Sequence, residues 1–208
     1  LGTVADVVPL DHVNRILVHQ GLLRIRAGQC RPGITALLRI AGKNQRRLVA
    51  ADLGFAVGPR LNAAGRLDDI SVGIQCLLTK DPQKALETAN ELDELNRDRK
   101  AIEQTMQSEA MALLEHWDDI QADELPCVLC LFQPDWHQGV VGLLASRLKD
   151  KYHRPVVAFA RESQQDIPTD QPPQLKGSCR SIPALHIRDA LDAVATQTPG
   201  LVNKFGGQ

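Results

Sequence analysis

A chain of 208 residues with 43% hydrophobic content is long enough for one large domain or two small ones, and apolar enough to bury a core. Its 24 Lys and Arg nearly cancel its 25 Asp and Glu, so net charge neither predicts nor excludes a nucleic-acid partner and local basic patches must be judged individually. No apolar run approaches a membrane span and the first residues lack the segments of a secretory signal, so no membrane partner is expected and the expected compartment is the cytoplasm.

Leu1 to Asp11 has the composition of a buried strand with one carboxylate set into it. An acid flanked by Val4, Ala5, Val7 and Val8 is expected to be paired, hydrogen-bonded or metal-bound, because an unpaired buried carboxylate is costly. Asp6 is therefore the first functional candidate. The competing reading is a strand-end aspartate that caps the turn at Pro9. Residues 1 to about 80 continue as short apolar segments punctuated by Arg31-Pro32-Gly33 and Gly58-Pro59, which predicts the end of an α/β domain.

Within this region Gly58-Pro59-Arg60-Leu61-Asn62-Ala63-Ala64-Gly65-Arg66-Leu67-Asp68-Asp69 sets two arginines and an asparagine among small residues. Gly and Ala let a ligand approach the backbone, and the planar arginine fork suits phosphate. Anion binding is one reading; Arg60 and Arg66 pairing with Asp68 and Asp69 to fix a turn is the other. Asp81-Pro82 is a good cap and first-turn pair for a helix over residues 81 to about 117. Ala85, Leu86, Ala89, Leu92, Leu95, Ile102, Met106, Leu113 and Leu114 recur along it at helical spacing. Its other face carries Glu91, Asp93, Glu94, Arg97, Asp98, Arg99 and Lys100, a mixed charge run that reads as a solvated face. Such a helix would span roughly 50 Å, longer than one small domain needs, and is expected to connect two domains.

From about 118 the pattern becomes strand, helix, strand: Cys127 to Phe132, Gly139 to Lys151, then Pro155 to Ala160. That order predicts a βαβ unit and a second α/β domain. Five cysteines without framework spacing fit a reducing compartment. Cys127 and Cys130 form a C-x-x-C inside an apolar run with no second ligand pair, so a buried strand is expected there ahead of a zinc knuckle. Trp136-His137-Gln138-Gly139 joins strand to helix, where free amides favour an anion and His137 acts either as a phosphate or metal contact or as a helix cap. Ser163 to Gln174 reads as a solvent loop. Leu175-Lys176-Gly177-Ser178-Cys179-Arg180-Ser181 reads either as a phosphate cradle or as a polar edge strand. A short helix from His186 to about Ala195 precedes Thr198-Pro199-Gly200 and the terminal Phe205-Gly206-Gly207-Gln208. The chain is expected to be a fragment of a longer protein.

No single motif decides the function, but their order does. Gly-Thr-Val-Ala-Asp-Val-Val-Pro-Leu from Gly2, the Gly58 to Asp69 segment, Trp-His-Gln-Gly-Val-Val-Gly from Trp136 with Arg154-Pro155-Val156 behind it, Gly-Ser-Cys-Arg-Ser from Gly177 and Phe-Gly-Gly from Phe205 follow one another along the chain. This sequence of motifs resembles the RecJ single-strand-specific DNA exonucleases of the DHH phosphoesterase superfamily, over essentially the whole chain. The resemblance implies an α/β fold: the end of a DHH catalytic domain (residues 1–80), a long interdomain helix (81–117) and most of a smaller DHH-associated domain that binds nucleic acid (118–208).

It further implies a parent enzyme that degrades single-stranded DNA from the 5′ end in recombination and repair with Mn2+ or Mg2+, two metals activating water and neutralising transition-state charge. Asp6 matches the family carboxylate of the metal cluster. Arg60, Asn62 and Arg66 match a segment bordering the cleft, Ser178 and Arg180 match positions that hold DNA phosphate near the 5′ end, and His137 matches the histidine of the associated domain's helix start. Two positions depart from the pattern. Cys179 stands where the family has Gly, with the strand expected to survive, and Gln208 stands where the family has His, so that histidine's role is not carried over. The Asp-His-His sequence and the other aspartate motifs do not occur here, so the fragment is expected to bind no metal stably and to be inactive. The rivals are a non-catalytic nucleic-acid-binding or scaffold relative, and a small-nucleotide phosphodiesterase of the same superfamily acting on oligoribonucleotides or cyclic dinucleotides.

Overall fold

The carboxylate of Asp11 accepts the backbone N–H of Asn14 at 2.8 Å and so starts the first long helix of the chain. The computed structural model describes residues 1–114, 126–162, 174–183 and 185–206. They divide into two units, Leu1–Ala101 and Ile102–Gln208.

The first unit is built of helices: α1 (Gly2–Ala5), α2 (His12–Arg26), α3 (Pro32–Ile40), α4 (Ala50–Asp52), α5 (Gly58–Leu67), α6 (Ser71–Leu78) and the first part of α7 (Pro82–Leu113). A π-helical turn, Leu53–Val57, joins α4 to α5. Pro82 opens α7 and the Asp81 carboxylate accepts the N–H of Gln83 at 2.8 Å, as the Asp-Pro pair predicts. Residues 115–117 of the expected helix lie outside the described residues. Leu37, Leu38, Leu48, Val57, Ala85, Ala89 and Leu92 form the core of this unit, each buried leucine contributing about 2 kcal/mol.

The expected buried strand over Leu1–Asp11 is instead one helical turn followed by exposed chain. The N–H groups of Val4 and Ala5 both bond the carbonyl of Leu1, and that of Asp6 bonds Gly2. The N–H of Val8 then reaches Thr3 and that of Val7 reaches Val4, a closed helix end with Val7 in the left-handed region at φ 54°. Local bonds thus satisfy backbone groups that a strand would have needed a neighbour to satisfy. Only Val4 packs against the core, Val7 is 84% exposed, and the Asp6 carboxylate sits at the surface. The premise that Asp6 is a buried acid is therefore corrected.

The second unit carries the expected βαβ arrangement. β1 (Leu129–Phe132) runs parallel to β2 (Val156–Arg161), with α8 (Val141–Tyr152) between them in sequence. β3 (Leu175–Arg180) lies antiparallel on the other edge of β2, and α9 (Ile187–Gln197) follows. Trp136, 3% exposed, donates from Nε1 to Glu109 on α7 at 2.9 Å, and Arg147 on α8 pairs with Glu103 at 3.4 Å. Both anchor the start and middle of α8 to the second half of α7. Cys127 precedes β1, and both Cys127 and Cys130 are exposed, correcting the buried-strand reading. Cys130 and Phe132 occupy the exposed positions of a strand whose burial alternates. Cys179 in place of Gly leaves β3 intact. Residues 163–173, Gly207 and Gln208 lie outside the described residues. No helix among the described residues is long and apolar enough to cross a membrane.

A methyl group on Gly33 would stand 1.9 Å from the carbonyl oxygen of Cys76, whereas one on Gly21, within α2, would meet nothing within 4 Å. Gly33→Ala is therefore expected to cost about 3 kcal/mol of unfolding free energy in urea titrations. Gly21→Ala is expected to add about 0.5–1 kcal/mol through helix propensity alone.

Candidate nucleic-acid interface

Strand register decides which residues of the Lys176 to Arg180 segment share a face. Leu129, Val156 and Arg180 form one cross-sheet row, and Leu131, Ala158 and Ser178 the next. Ser178 and Arg180 therefore lie on the same face, and Cys179 on the other. α8 packs on the face that holds them, as its contacts with Arg180 establish: the arginine Nε donates to the hydroxyl of Ser146 at 2.6 Å. Nη1 donates to Ser178 Oγ at 3.0 Å and to the Cys179 carbonyl at 2.7 Å. The remaining nitrogen, Nη2, lies beside Gly142. A Cβ at Gly142 would stand 2.9 Å from both Nη2 and Ser178 Oγ, so the missing side chain is what admits both groups to the first turn of α8.

That placement has an electrostatic consequence. Gly142 is the second residue of α8, where the aligned peptide dipoles leave partial positive charge and disfavour a cation by about 0.3–1 kcal/mol. Among the described residues no carboxylate pairs with Arg180, and Nη2 has no acceptor. A guanidinium held against the positive end of a helix, with a hydroxyl beside it, forms a seat that an anion would relieve. Burial pushes the neighbouring Cys179 thiol upward, with Arg180 only partly offsetting it, so Cys179 adds no negative charge near neutral pH.

His137 lies in the turn before α8. Its Nδ1 accepts the N–H of Gly139 at 3.1 Å, and its carbonyl accepts those of Val140 and Val141. The ring is a structural hydrogen-bonder of the turn and not a cap of α8, whose cap residue, Val140, has no side-chain bond.

The first unit holds the other candidates. Gly54 and Gly58 seat α1: added Cβ atoms would lie 3.5 Å from Val4 and 3.2 Å from the Ala5 Cβ. This brings the turn that ends at Asp6 onto the start of α5, which carries Arg60, Asn62 and Arg66. Asn62 and Arg66 are exposed. Arg60 turns inward and pairs with neither Asp68 nor Asp69. Its Nε and Nη2 meet Asp93 Oδ1 at 2.8 Å and 2.7 Å, and Nη1 donates to the Ala56 carbonyl at 2.6 Å. Asp69 instead caps α6 through Ser71. Asp93 also receives Arg97 and is buried, which corrects its assignment to a solvated face. Burial alone would push its carboxyl upward. The hydrogen bond from Arg97 and the charge and hydrogen bond of Arg60 outweigh that and hold it below the usual carboxylate range. Among the described residues no group of three or more His, Cys, Asp or Glu could hold a metal ion. Asp6 alone does not fit the two-metal set that the family resemblance implies.

Ser146, Gly142 and Asp93 are the residues that the sequence reading did not assign to these networks. Ser146 carried a faint signal, a polar residue one turn after Gly142 on the helix side that also buries Val141, Ala145 and Leu148.

Two outcomes are expected. Asp93→Asn should lower stability at neutral pH by about 3 kcal/mol, since it leaves a largely buried Arg60 without its counter-charge. Because the native carboxyl is depressed, wild-type stabilisation is present above about pH 4 and lost as pH falls through the native value. The gap between the two proteins in pH-dependent urea titrations should close on acidification. Gly142→Ala should keep thermal stability within about 1 kcal/mol, helped by helix propensity, while displacing Arg180 and Ser178 and weakening oligonucleotide binding severalfold in anisotropy titrations.

Known proteins resemble this chain in sequence and in fold. A model of the DHHA1 domain matches residues 125–208. The chain is 57% identical over 207 residues to the single-stranded-DNA-specific exonuclease RecJ of Escherichia coli K12, covering 100% of this chain and 34% of that protein. Its fold is similar to the crystal structure of RecJ from Thermus thermophilus in complex with Mg2+, with a TM-score of 0.78 at 31% identity over 99% of this chain and 29% of that one. The Mn2+ complex of the same protein gives 0.78, covering 27% of its chain. The chain thus spans about a third of the length of the curated relatives it matches. Motif order, fold and similarity agree: over the third of their length that it spans, the chain matches the RecJ exonucleases.

Proposed function

We propose that this chain is the part of a metal-dependent exonuclease, acting on single-stranded DNA from the 5′ end in recombination and repair, that grips a phosphate near that end. The observation that carries the reading is Arg180 beside Ser178 against the first turn of α8, a cation at the positive end of a helix with no carboxylate paired to it among the described residues. Phosphate supplies the charge that this arrangement lacks, and Arg–phosphate contact is the commonest way a protein positions nucleic acid without reading its bases. Lys176 lies on the same strand face, two residues from Ser178, and extends the row of donors along the edge strand. Asn62 and Arg66 on α5 are exposed donors of the first unit that suit further backbone contacts.

Asp6 takes a different part. It is a surface carboxylate fixed at a closed helix end, suited to join other acids at a divalent cation in a protein of the relatives' length. One carboxylate cannot hold two metals, so the 208-residue chain by itself is expected to release no mononucleotides from single-stranded DNA with Mn2+.

Arg180→Ala should weaken binding of a 5′-phosphorylated oligothymidylate about tenfold at moderate salt and reduce the salt-dependence slope by about one. In the protein of full family length, Asp6→Ala should abolish cleavage and leave DNA binding in place. Equal loss of binding in both variants would contradict this division, and Mn2+-dependent mononucleotide release by the 208-residue chain would contradict its inactivity.

A further inference from the structure

We infer that Ser146 is a positioning residue for Arg180, one that never touches DNA but fixes the direction in which the guanidinium meets phosphate. The inference rests on reading the junction of β3 and α8 as a phosphate seat and adds the part that aims it. Ser146 Oγ donates its proton to the Gly142 carbonyl one turn earlier, at 3.1 Å. With that proton committed to the helix, the oxygen turns a lone pair outward, and Arg180 Nε donates into it at 2.6 Å. Nη1 is taken up on the opposite side by Ser178 Oγ and the Cys179 carbonyl.

A planar guanidinium held along two of its edges cannot swing about its last torsions. The Nε edge is tied to the helix and the Nη1 end to the strand, so Nη2 is the nitrogen left to the ligand, at Gly142. Side-on capture of phosphate by the Nε and Nη2 pair is blocked, because Nε is occupied. Recognition is then by Nη2 together with the Ser178 hydroxyl, which lie side by side against the Gly142 backbone, each 2.9 Å from where a Cβ would stand. Ser146 thereby sets which donors converge, although Ser178 and Arg180 alone would make the contact. Pre-arranging a long side chain before the ligand arrives removes an ordering cost from binding.

The test uses the 208-residue chain as wild type, Ser146→Ala and Ser146→Thr. Threonine keeps a hydroxyl that can bond the carbonyl one turn back in a helix, and position 146 is half-buried. Two readouts are taken: the Arg180 Nε–H signal in nitrogen-proton correlation spectra without DNA, and anisotropy titrations with 5′-phosphorylated and 5′-hydroxyl oligothymidylate. Wild type and Ser146→Thr should show a protected Nε–H and prefer the phosphorylated strand. Ser146→Ala should lose the protection and about tenfold of the preference, with the backbone amide spectrum otherwise preserved. An unchanged Nε–H signal, or unchanged or tighter phosphate preference in Ser146→Ala, would overturn the inference. If wild type itself shows no preference for the 5′-phosphate, the phosphate-seat reading fails. The Nε–H comparison then still decides whether Ser146 holds Arg180.

Discussion

The contact on which the second unit's chemistry depends is the approach of Arg180 and Ser178 to a helix turn that has no side chain to exclude them. A Cβ at Gly142 would stand 2.9 Å from both groups, inside any distance a carbon tolerates. Everything else at the junction follows from admitting a guanidinium there. It must give up donors to Ser146, Ser178 and a backbone carbonyl, because a partly buried arginine needs acceptors. It also lies against the first turn of α8, on the sheet face that its pairing with Val156 assigns to it. Among the described residues no carboxylate pairs with it; Glu109 accepts from Trp136, and Glu103 pairs with Arg147. An arginine at the positive end of a helix with no carboxylate paired to it among the described residues is electrostatically suited to an anion.

The first unit uses arginine in the opposite way. Arg60 belongs to a segment that reads as anion-binding, yet its guanidinium is used up on Asp93 and on the Ala56 carbonyl. Asp93 is a buried carboxylate whose desolvation is offset by two arginines from two helices, so the pair joins α5 to α7 within that unit. The role of Arg60 is to hold the helix that presents Asn62 and Arg66. Arg180 and Arg60 carry the same fork, and whether a carboxylate shares its surroundings decides which of them is left for a ligand.

How much of this was legible in sequence depended on how far each determinant lay from its partner. The βαβ unit and α7 could be read directly, because apolar periodicity and the Asp81-Pro82 start are local properties. The Leu1–Asp11 strand was misread because Val4, Val7 and Val8 suggest burial by composition. What decides the turn is a set of hydrogen bonds back to Leu1, Gly2, Thr3 and Val4 that a hydrophobic pattern does not encode. Asp93 looked solvated because its partner Arg60 lies 33 positions earlier, and Ser146 went unassigned because Arg180 lies 34 positions later. The exposure of Cys130 depends on which side of the sheet α8 covers, a choice that alternation alone leaves open. Ser178 and Arg180 were legible as candidates through residue type and motif resemblance, whereas their joint dependence on Gly142 is a property of packing.

The proposed phosphate position is the first turn of α8, with Ser178 and Arg180 laid against it. Mapping backbone amide shifts of the 208-residue chain during titration with a 5′-phosphorylated oligothymidylate tests it most directly. The amides of Gly142, Ser178 and Arg180 are expected to shift together and saturate together, with binding that weakens as salt rises. Perturbations confined to the opposite sheet face, around Cys130 and Phe159, with Gly142 and Ser178 unmoved, would contradict it.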